Sequence, residues 1–167
     1  GNRQSRHRRF QVVPSEDLRH INAVVQAIRQ VCGIPSVPRK MLVVVNPTSG
    51  TGKSKLILNT IVRLMMEQAG VDLEVCETTR PQHAKERAKA DDIGEFDAIL
   101  LMGGDGTIHE FLQGIHQHKE ADALLPTIKL GVIGCGTANG LAKSLTYAAN
   151  EAYSPLESTF MIAKNQV

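Results

Sequence analysis

Two hydrophobic rhythms alternate along most of this chain. Met41–Val45 is an unbroken apolar run, the pattern of a strand buried on both faces. Ser54–Ala69 then reads as a helix, with Ile57, Ile61, Leu64 and Met65 on one face and Gly70 closing it. Val71–Cys76 is the next strand. Gln82–Ile93 is a polar helix closed by Gly94, Ala98–Met102 a third strand, and Ile108–His118 a third helix. Ile128–Ile133 is a fourth strand, and Leu141–Leu145 opens another helix. Strands alternating with helices predict an α/β fold, a three-layer α/β/α parallel sheet. Thr159–Ala163 looks strand-like and stands apart from that alternation.

Upstream of Pro35-Ser-Val-Pro38 the pattern differs. Phe10–Val13 reads as a short strand ending at Pro14, and Ser15 caps a helix. Leu18, Ile21, Val24, Val25, Ile28, Val31 and Cys32 recur at helical spacing until Gly33. A strand and one helix cannot bury a core alone, so this appendage must pack on something else. The chain of 167 residues, 42% hydrophobic, suits one compact domain with a short attachment and excludes intrinsic disorder. No apolar run approaches the roughly 18–20 residues that span a bilayer.

Charge changes the picture only locally. Lys and Arg total 19 against 17 Asp and Glu, a net charge of +2. Arg3, Arg6, Arg8 and Arg9 lie in the first ten residues with no acid, so everything after residue 10 is net −2. An end effect of this kind, with 4% aromatics and no Trp, argues against nucleic acid as a partner. Cys32, Cys76 and Cys135 match no disulfide or metal-ligand spacing and read as free thiols of a reducing compartment. With no apolar segment behind the Arg-rich start, no secretory signal is expected, and the expected compartment is the cytosol. His116 and His118 read as a solvated pair that cannot chelate one ion, and no protein metal site is expected.

The candidate chemistry sits after three of the strands. Ligands of open α/β sheets bind beyond the carboxyl ends of the strands. Asn46-Pro-Thr-Ser-Gly-Thr-Gly-Lys-Ser54 tempts comparison with a Walker A loop, but Pro47 stands where that motif needs Gly, so a standard P-loop is rejected. The loop still offers backbone donors ahead of a helix, and Lys53 is a candidate phosphate neighbour on charge. Gly103-Gly104-Asp105-Gly106-Thr107 surrounds one carboxylate with glycines, and Glu110 follows. Such a carboxylate can take a proton from a hydroxyl or help hold a metal, or it can simply cap a helix. Gly134-Cys-Gly-Thr-Ala-Asn-Gly140 is the third small-residue loop. Three such loops indicate a phosphate or nucleotide site.

At these residues the sequence resembles the diacylglycerol kinase catalytic-domain family, which includes sphingosine and ceramide kinases. The matching elements are Val44-Val-Asn-Pro-Thr-Ser-Gly50, Thr78 with His83-Ala-Lys-Glu86, Phe96-Asp-Ala98, Gly103–Glu110 and Gly136-Thr-Ala-Asn-Gly140. They run in order over roughly residues 41–145, and Arg80–Glu110 looks most like the sphingosine kinase branch. The sequence departs from the family at Gly134, where Pro is common. The resemblance implies transfer of phosphate from ATP, with Mg²⁺, to a lipid. It implies nucleotide contacts from Asn46, Pro47, Thr48, Ser49, Gly50, Thr78 and the segment to Gln82. Gly103, Gly104, Gly106, Thr107, Glu110, Gly136, Thr137, Ala138 and Asn139 would make further nucleotide contacts. Gly103 to Gly106 would also border the lipid hydroxyl, and Asp105 matches the family's general base.

The resemblance also divides the chain. Residues 1–38 resemble the end of a pleckstrin-homology-like domain, 39–155 the nucleotide-binding domain, and 156–167 the start of a β-rich C-terminal domain. Since family members carry that second domain, the expectation is a nucleotide-binding lobe of a larger lipid kinase, inactive alone. Its partners would be a sphingoid base and a membrane surface, on a cytoplasmic, peripherally membrane-associated protein, with a homodimer left open. Diacylglycerol or ceramide kinase, NAD kinase (which shares a Gly-Gly-Asp-Gly loop), and a non-catalytic binding module stand as alternatives.

Overall fold

The computed structural model describes residues 39–164. The expected strand at Phe10–Val13, the helix from Ser15 to Gly33, the Arg cluster, Cys32, His7 and His20 lie outside the described residues. Four strands, β1 (Arg39–Val45), β2 (Val71–Glu77), β3 (Ala98–Gly103) and β4 (Leu130–Gly134), form one sheet in the order β2-β1-β3-β4, every pair parallel. The register aligns their ends: Val45 lies opposite Glu77 and Met102, and Gly103 opposite Gly134. Every loop leaving a carboxyl end therefore starts from one rim.

Strand side chains alternate between two cores. Leu42, Val44, Ile99, Leu101 and Val132 pack with Ala84, Ala88, Ile108, Phe111, Ile115 and Ala142. Met41, Val43, Val45, Leu100, Met102 and Ile133 pack with Leu58, Val62, Met66 and Ile162. The first face is covered by α2 (His83–Ala88), α3 (Asp105–His116) and α5 (Gly140–Ala148). The second is covered by α1 (residues 54–68) and α6 (Pro155–Ala163). A short turn of helix, α4 (Ala121–Leu124), links α3 to β4. The three-layer α/β/α sheet expected from the alternation is the observed fold.

Several element boundaries differ from the sequence reading, each for a local reason. The first helix, α1, runs through Ser54–Ile57, Leu58–Val62 and Arg63–Gln68, and its middle segment has wide i→i+5 turns. Its buried line is Ser54, Leu58, Val62 and Met66, not the expected Ile57, Ile61, Leu64 and Met65. Steps of four drift around a regular helix, and widened turns keep them on one side. The expected helix Gln82–Ile93 starts one residue later, because Gln82 is left-handed (φ 66°), and breaks at the extended Ala90 into α2 and a 3-10 turn over Asp91–Glu95. Asp105, expected in a loop, begins α3, since Gly104 is extended and opens the helix. His118, expected on the surface, is 5% exposed, its Nδ1 accepting from the Glu120 N–H at 3.0 Å.

Thr159–Ala163, expected as a strand, is helical. Ser154 Oγ accepts from the Glu157 N–H at 3.0 Å and Pro155 follows at the first helical position, a Ser-Pro start that outweighs the strand preference of Thr159, Phe160 and Ile162. The helix buries Met161 and Ile162, and Ile162 lies against Gly131 of β4.

α2 and α3 cross at Gly114, where a Cβ would strike the Lys85 carbonyl oxygen and lie 2.6 Å from Ala88 Cβ. Helix propensity favours Ala over Gly by about 1 kcal/mol, whereas overpacking against backbone costs about 1–3 kcal/mol or more. Overpacking wins here, because a carbonyl cannot swing aside as a side chain can. Gly114→Ala is therefore expected to lose about 2 kcal/mol of stability, read from the denaturant midpoint.

Candidate nucleotide and phosphoryl-transfer site

Backbone hydrogen bonds carry the sheet's order past its rim. The Asn46 N–H donates to the Met102 carbonyl at 2.9 Å, and the Thr78 N–H to the Val45 carbonyl at 2.9 Å. The Cys135 and Gly136 N–H groups both donate to the Gly103 carbonyl, at 2.9 and 3.2 Å. The loops after β1, β3 and β4 then touch one another through glycine. A Cβ on Gly50 would lie 2.5 Å from the Cys135 carbonyl oxygen. One on Gly104 would lie 2.9 Å from the Ala138 carbonyl oxygen, and one on Gly136 would strike Gly104 Cα. Gly50 also has φ 58°, which favours glycine.

Asp105 sits at this junction. Its own N–H donates to the Ala138 carbonyl at 3.0 Å. Its carboxylate caps α5, accepting from the Gly140 N–H at 2.8 Å and the Leu141 N–H at 3.3 Å. A helix N-terminus favours negative charge there. Asn139, 9% exposed, braces the third loop by accepting from the Gly136 N–H at 2.8 Å and donating to the Gly136 carbonyl at 2.5 Å.

Beside the junction lies a cavity of about 280 Å³. Asn46, Thr48, Thr78, Thr107 and Glu110, all expected site residues, line it with Thr79, Arg80 and Pro81 of the expected segment from Thr78 to Gln82, and with Ala84. Asn46 is fixed from both sides. Its amide donates to Thr107 Oγ1 at 3.3 Å, and its Oδ1 accepts from the Thr48 N–H and hydroxyl at 3.1 and 3.0 Å. Gln82 does not line the cavity: its N–H donates to Glu110 Oε2 at 3.1 Å, which holds the left-handed turn ahead of α2. Arg80 keeps a cation at the mouth, paired with Glu86 through two contacts of 2.5 Å. The Arg80 guanidinium in turn holds the Glu86 carboxyl below its ordinary range. Four threonine hydroxyls, an amide and a cation suit phosphate oxygens.

Pro47, Ser49, Gly50, Gly103 to Gly106 and Gly136 to Asn139 do not line that cavity; they build the junction or flank it. Lys53 is exposed and also lies off the cavity lining. Ala84 carries no signal of a lining role in the sequence, where its methyl is indistinguishable from other helix alanines. Tyr153 carries none either. It stands between α5 and α6, and its hydroxyl lies over Gly134. No spacing rule links residues 134 and 153.

Gly136 and Gly106 make a sharp comparison. A methyl group added at Gly106 would meet nothing within 4 Å, and the residue sits in a helical turn, whereas Gly136 meets Gly104 backbone. Gly106→Ala is expected to leave stability within about 1 kcal/mol. Gly136→Ala is expected to lose about 2 kcal/mol or more, measured by thermal unfolding.

Three comparisons place the chain among known proteins. Residues 40–166 match the diacylglycerol kinase catalytic domain. The chain is 33% identical over 117 residues to sphingosine kinase 1 of Rattus norvegicus, covering 70% of this chain and 30% of that protein. It is 37% identical over 107 residues to sphingosine kinase 1 of Caenorhabditis elegans, covering 63% of this chain and 22% of the relative. It is 31% identical over 118 residues to sphingoid long chain base kinase 5 of Saccharomyces cerevisiae, covering 71% and 17%. The matches thus span less than a third of these curated relatives. A structure described as a putative diacylglycerol kinase from Bacillus anthracis superposes with a TM-score of 0.61 at 26% identity, covering 76% of this chain and 42% of that one. With its parallel sheet and the glycine-rich rim on which the motifs lie, the chain belongs to the diacylglycerol kinase catalytic domain family, on its sphingosine kinase-like branch.

Proposed function

We propose that this domain binds ATP and takes part in transferring its γ-phosphoryl group to the hydroxyl of a sphingoid base. The observation that carries the reading is the junction of three strand-end loops, which fixes the Asp105 carboxylate two residues ahead of Thr107, a lining residue of the hydroxyl-rich cavity. The sphingoid class is favoured over diacylglycerol or ceramide by the names of the matched relatives. Nothing at the site favours NAD as the acceptor or a purely non-catalytic module.

In this reading Asn46, Thr48, Thr78 and Thr107 hold phosphate oxygens and Arg80 draws the anion to the mouth. Asp105 accepts the proton of the acceptor hydroxyl as its oxygen attacks the γ-phosphorus in line and ADP leaves. Each carboxylate oxygen keeps a lone pair beyond the one its α5 amide uses. Capping fixes the base in place before substrate arrives, which is how positioning lowers a barrier. Among the described residues no three His, Cys, Asp or Glu side chains stand together to hold a metal. Mg²⁺ is commonly held by phosphates and one or two carboxylates. Glu110 and Asp105 are the carboxylates that would help hold it, and it would neutralise phosphate charge.

A lipid acceptor implies work at a membrane surface. No helix among the described residues is long and apolar enough to cross a membrane. We read the protein as cytoplasmic and peripherally membrane-associated, its lipid pocket completed by residues outside 39–155.

Asp105→Asn tests the base while keeping a capping oxygen, since Asn caps helices about as well as Asp. In the full-length protein it is expected to lower kcat about 10²- to 10⁴-fold on sphingosine, with the circular dichroism spectrum preserved. Wild-type protein that transfers no phosphate from ATP to sphingosine, diacylglycerol or ceramide overturns the reading.

A further inference from the structure

Tyr153 lies in the turn between α5 and α6, and two features fix it. Asn150, with φ 54°, turns the chain out of α5, and Ser154 caps α6 immediately after Tyr153. The phenol reaches back to the end of β4. A Cβ on Gly134 would lie 2.7 Å from Tyr153 Oη, 3.0 Å from Ala142 Cβ and 3.1 Å from Asn139 Cβ. The hydroxyl thus fills the space that any side chain at position 134 would take, and glycine there is what admits it.

The surroundings make this hydroxyl a donor. Burial, with the nearby Asp105 carboxylate, pushes the phenol above its ordinary range, and a phenol already keeps its proton at neutral pH. Lys143 Nζ stands 5.5 Å from the ring centroid and steadies the ring face. The hydroxyl has no hydrogen-bond partner among the described residues, and Tyr153 is 41% exposed. A protonated, unpaired donor therefore stands near the carboxylate read above as the base, on the side of the rim away from β2 and the nucleotide cavity.

We infer that Tyr153 is an acceptor-specificity residue: its hydroxyl, lodged over Gly134, donates a hydrogen bond to the polar head group of the acceptor lipid. The inference rests on the lipid-kinase reading and adds the acceptor side to it. It assigns the site an alcohol with a second hydrogen-bond acceptor near the reacting hydroxyl.

The test is steady-state kinetics of the full-length protein with sphingosine and ATP varied separately. Tyr153→Phe removes one hydroxyl and is expected to raise the KM for sphingosine about fivefold to tenfold, the worth of one hydrogen bond, with the KM for ATP within about twofold. Gly134→Ala displaces the same hydroxyl and is expected to raise the sphingosine KM likewise, and much less when introduced together with Y153F. An unchanged sphingosine KM in Y153F overturns the inference. So does a parallel rise in both KM values, which marks a merely structural role. Wild-type protein inactive on every lipid alcohol overturns the lipid-kinase reading and the inference with it, an outcome distinct from active wild type with an indifferent Tyr153.

Discussion

Backbone contact without side chains is the constraint on which this site depends. Gly50, Gly104 and Gly136 bring three loops together where no Cβ fits. The shared register of β1, β3 and β4 delivers the loops to one rim, and the hydrogen bonds of Asn46, Cys135 and Gly136 carry them the last few ångströms. Close approach does two things at once. It leaves backbone and small polar groups, rather than bulky side chains, along the rim, and it ties the loops into one object.

Asp105 profits from that arrangement. Its carboxylate bonds to α5, its amide to the third loop, and its helix starts on the second. One residue is thus held by two loops and two helices before any substrate is present. Glu110, further along the same helix, performs a related task by holding the left-handed Gln82. A left-handed glutamine costs on the order of 1 kcal/mol, a strain that persists because Glu110 and the start of α2 fix it from both sides.

Much of this was legible in the sequence. Four strand-like runs, three of them followed by glycine-rich or small-residue loops, disclosed the layered sheet and the rim that carries the candidate site. Asn46, Thr48, Thr78, Thr107 and Glu110 were named from motifs and line one cavity. The failures share a cause, which is that tertiary packing and capping outweigh local pattern. Thr159–Ala163 has strand-forming residues, yet Ser154-Pro155 starts a helix that buries them against β4. The buried line of α1 shifted because widened turns change the helical period. Gln82 looked helical because side-chain patterning says nothing of a backbone bond to a residue 28 positions away. Tyr153 was illegible for the same reason: its neighbour Gly134 belongs to another element.

The crossing at Gly114 bears on how the cavity can adapt. Ala84 sits on α2, Thr107 and Glu110 sit on α3, and the two helices meet with backbone against side-chain-free backbone. That wall behaves as a single stiff plate, because neither helix can slide without driving the Lys85 carbonyl into α3. The rest of the lining comes from Thr78, Thr79, Arg80 and Pro81 and from Asn46 and Thr48 of the β1 loop, which is itself tied at Gly50 to the loop after β4. Both walls are therefore set in advance, and a molecule of a different size would meet a fixed shape instead of a cavity that adjusts to it.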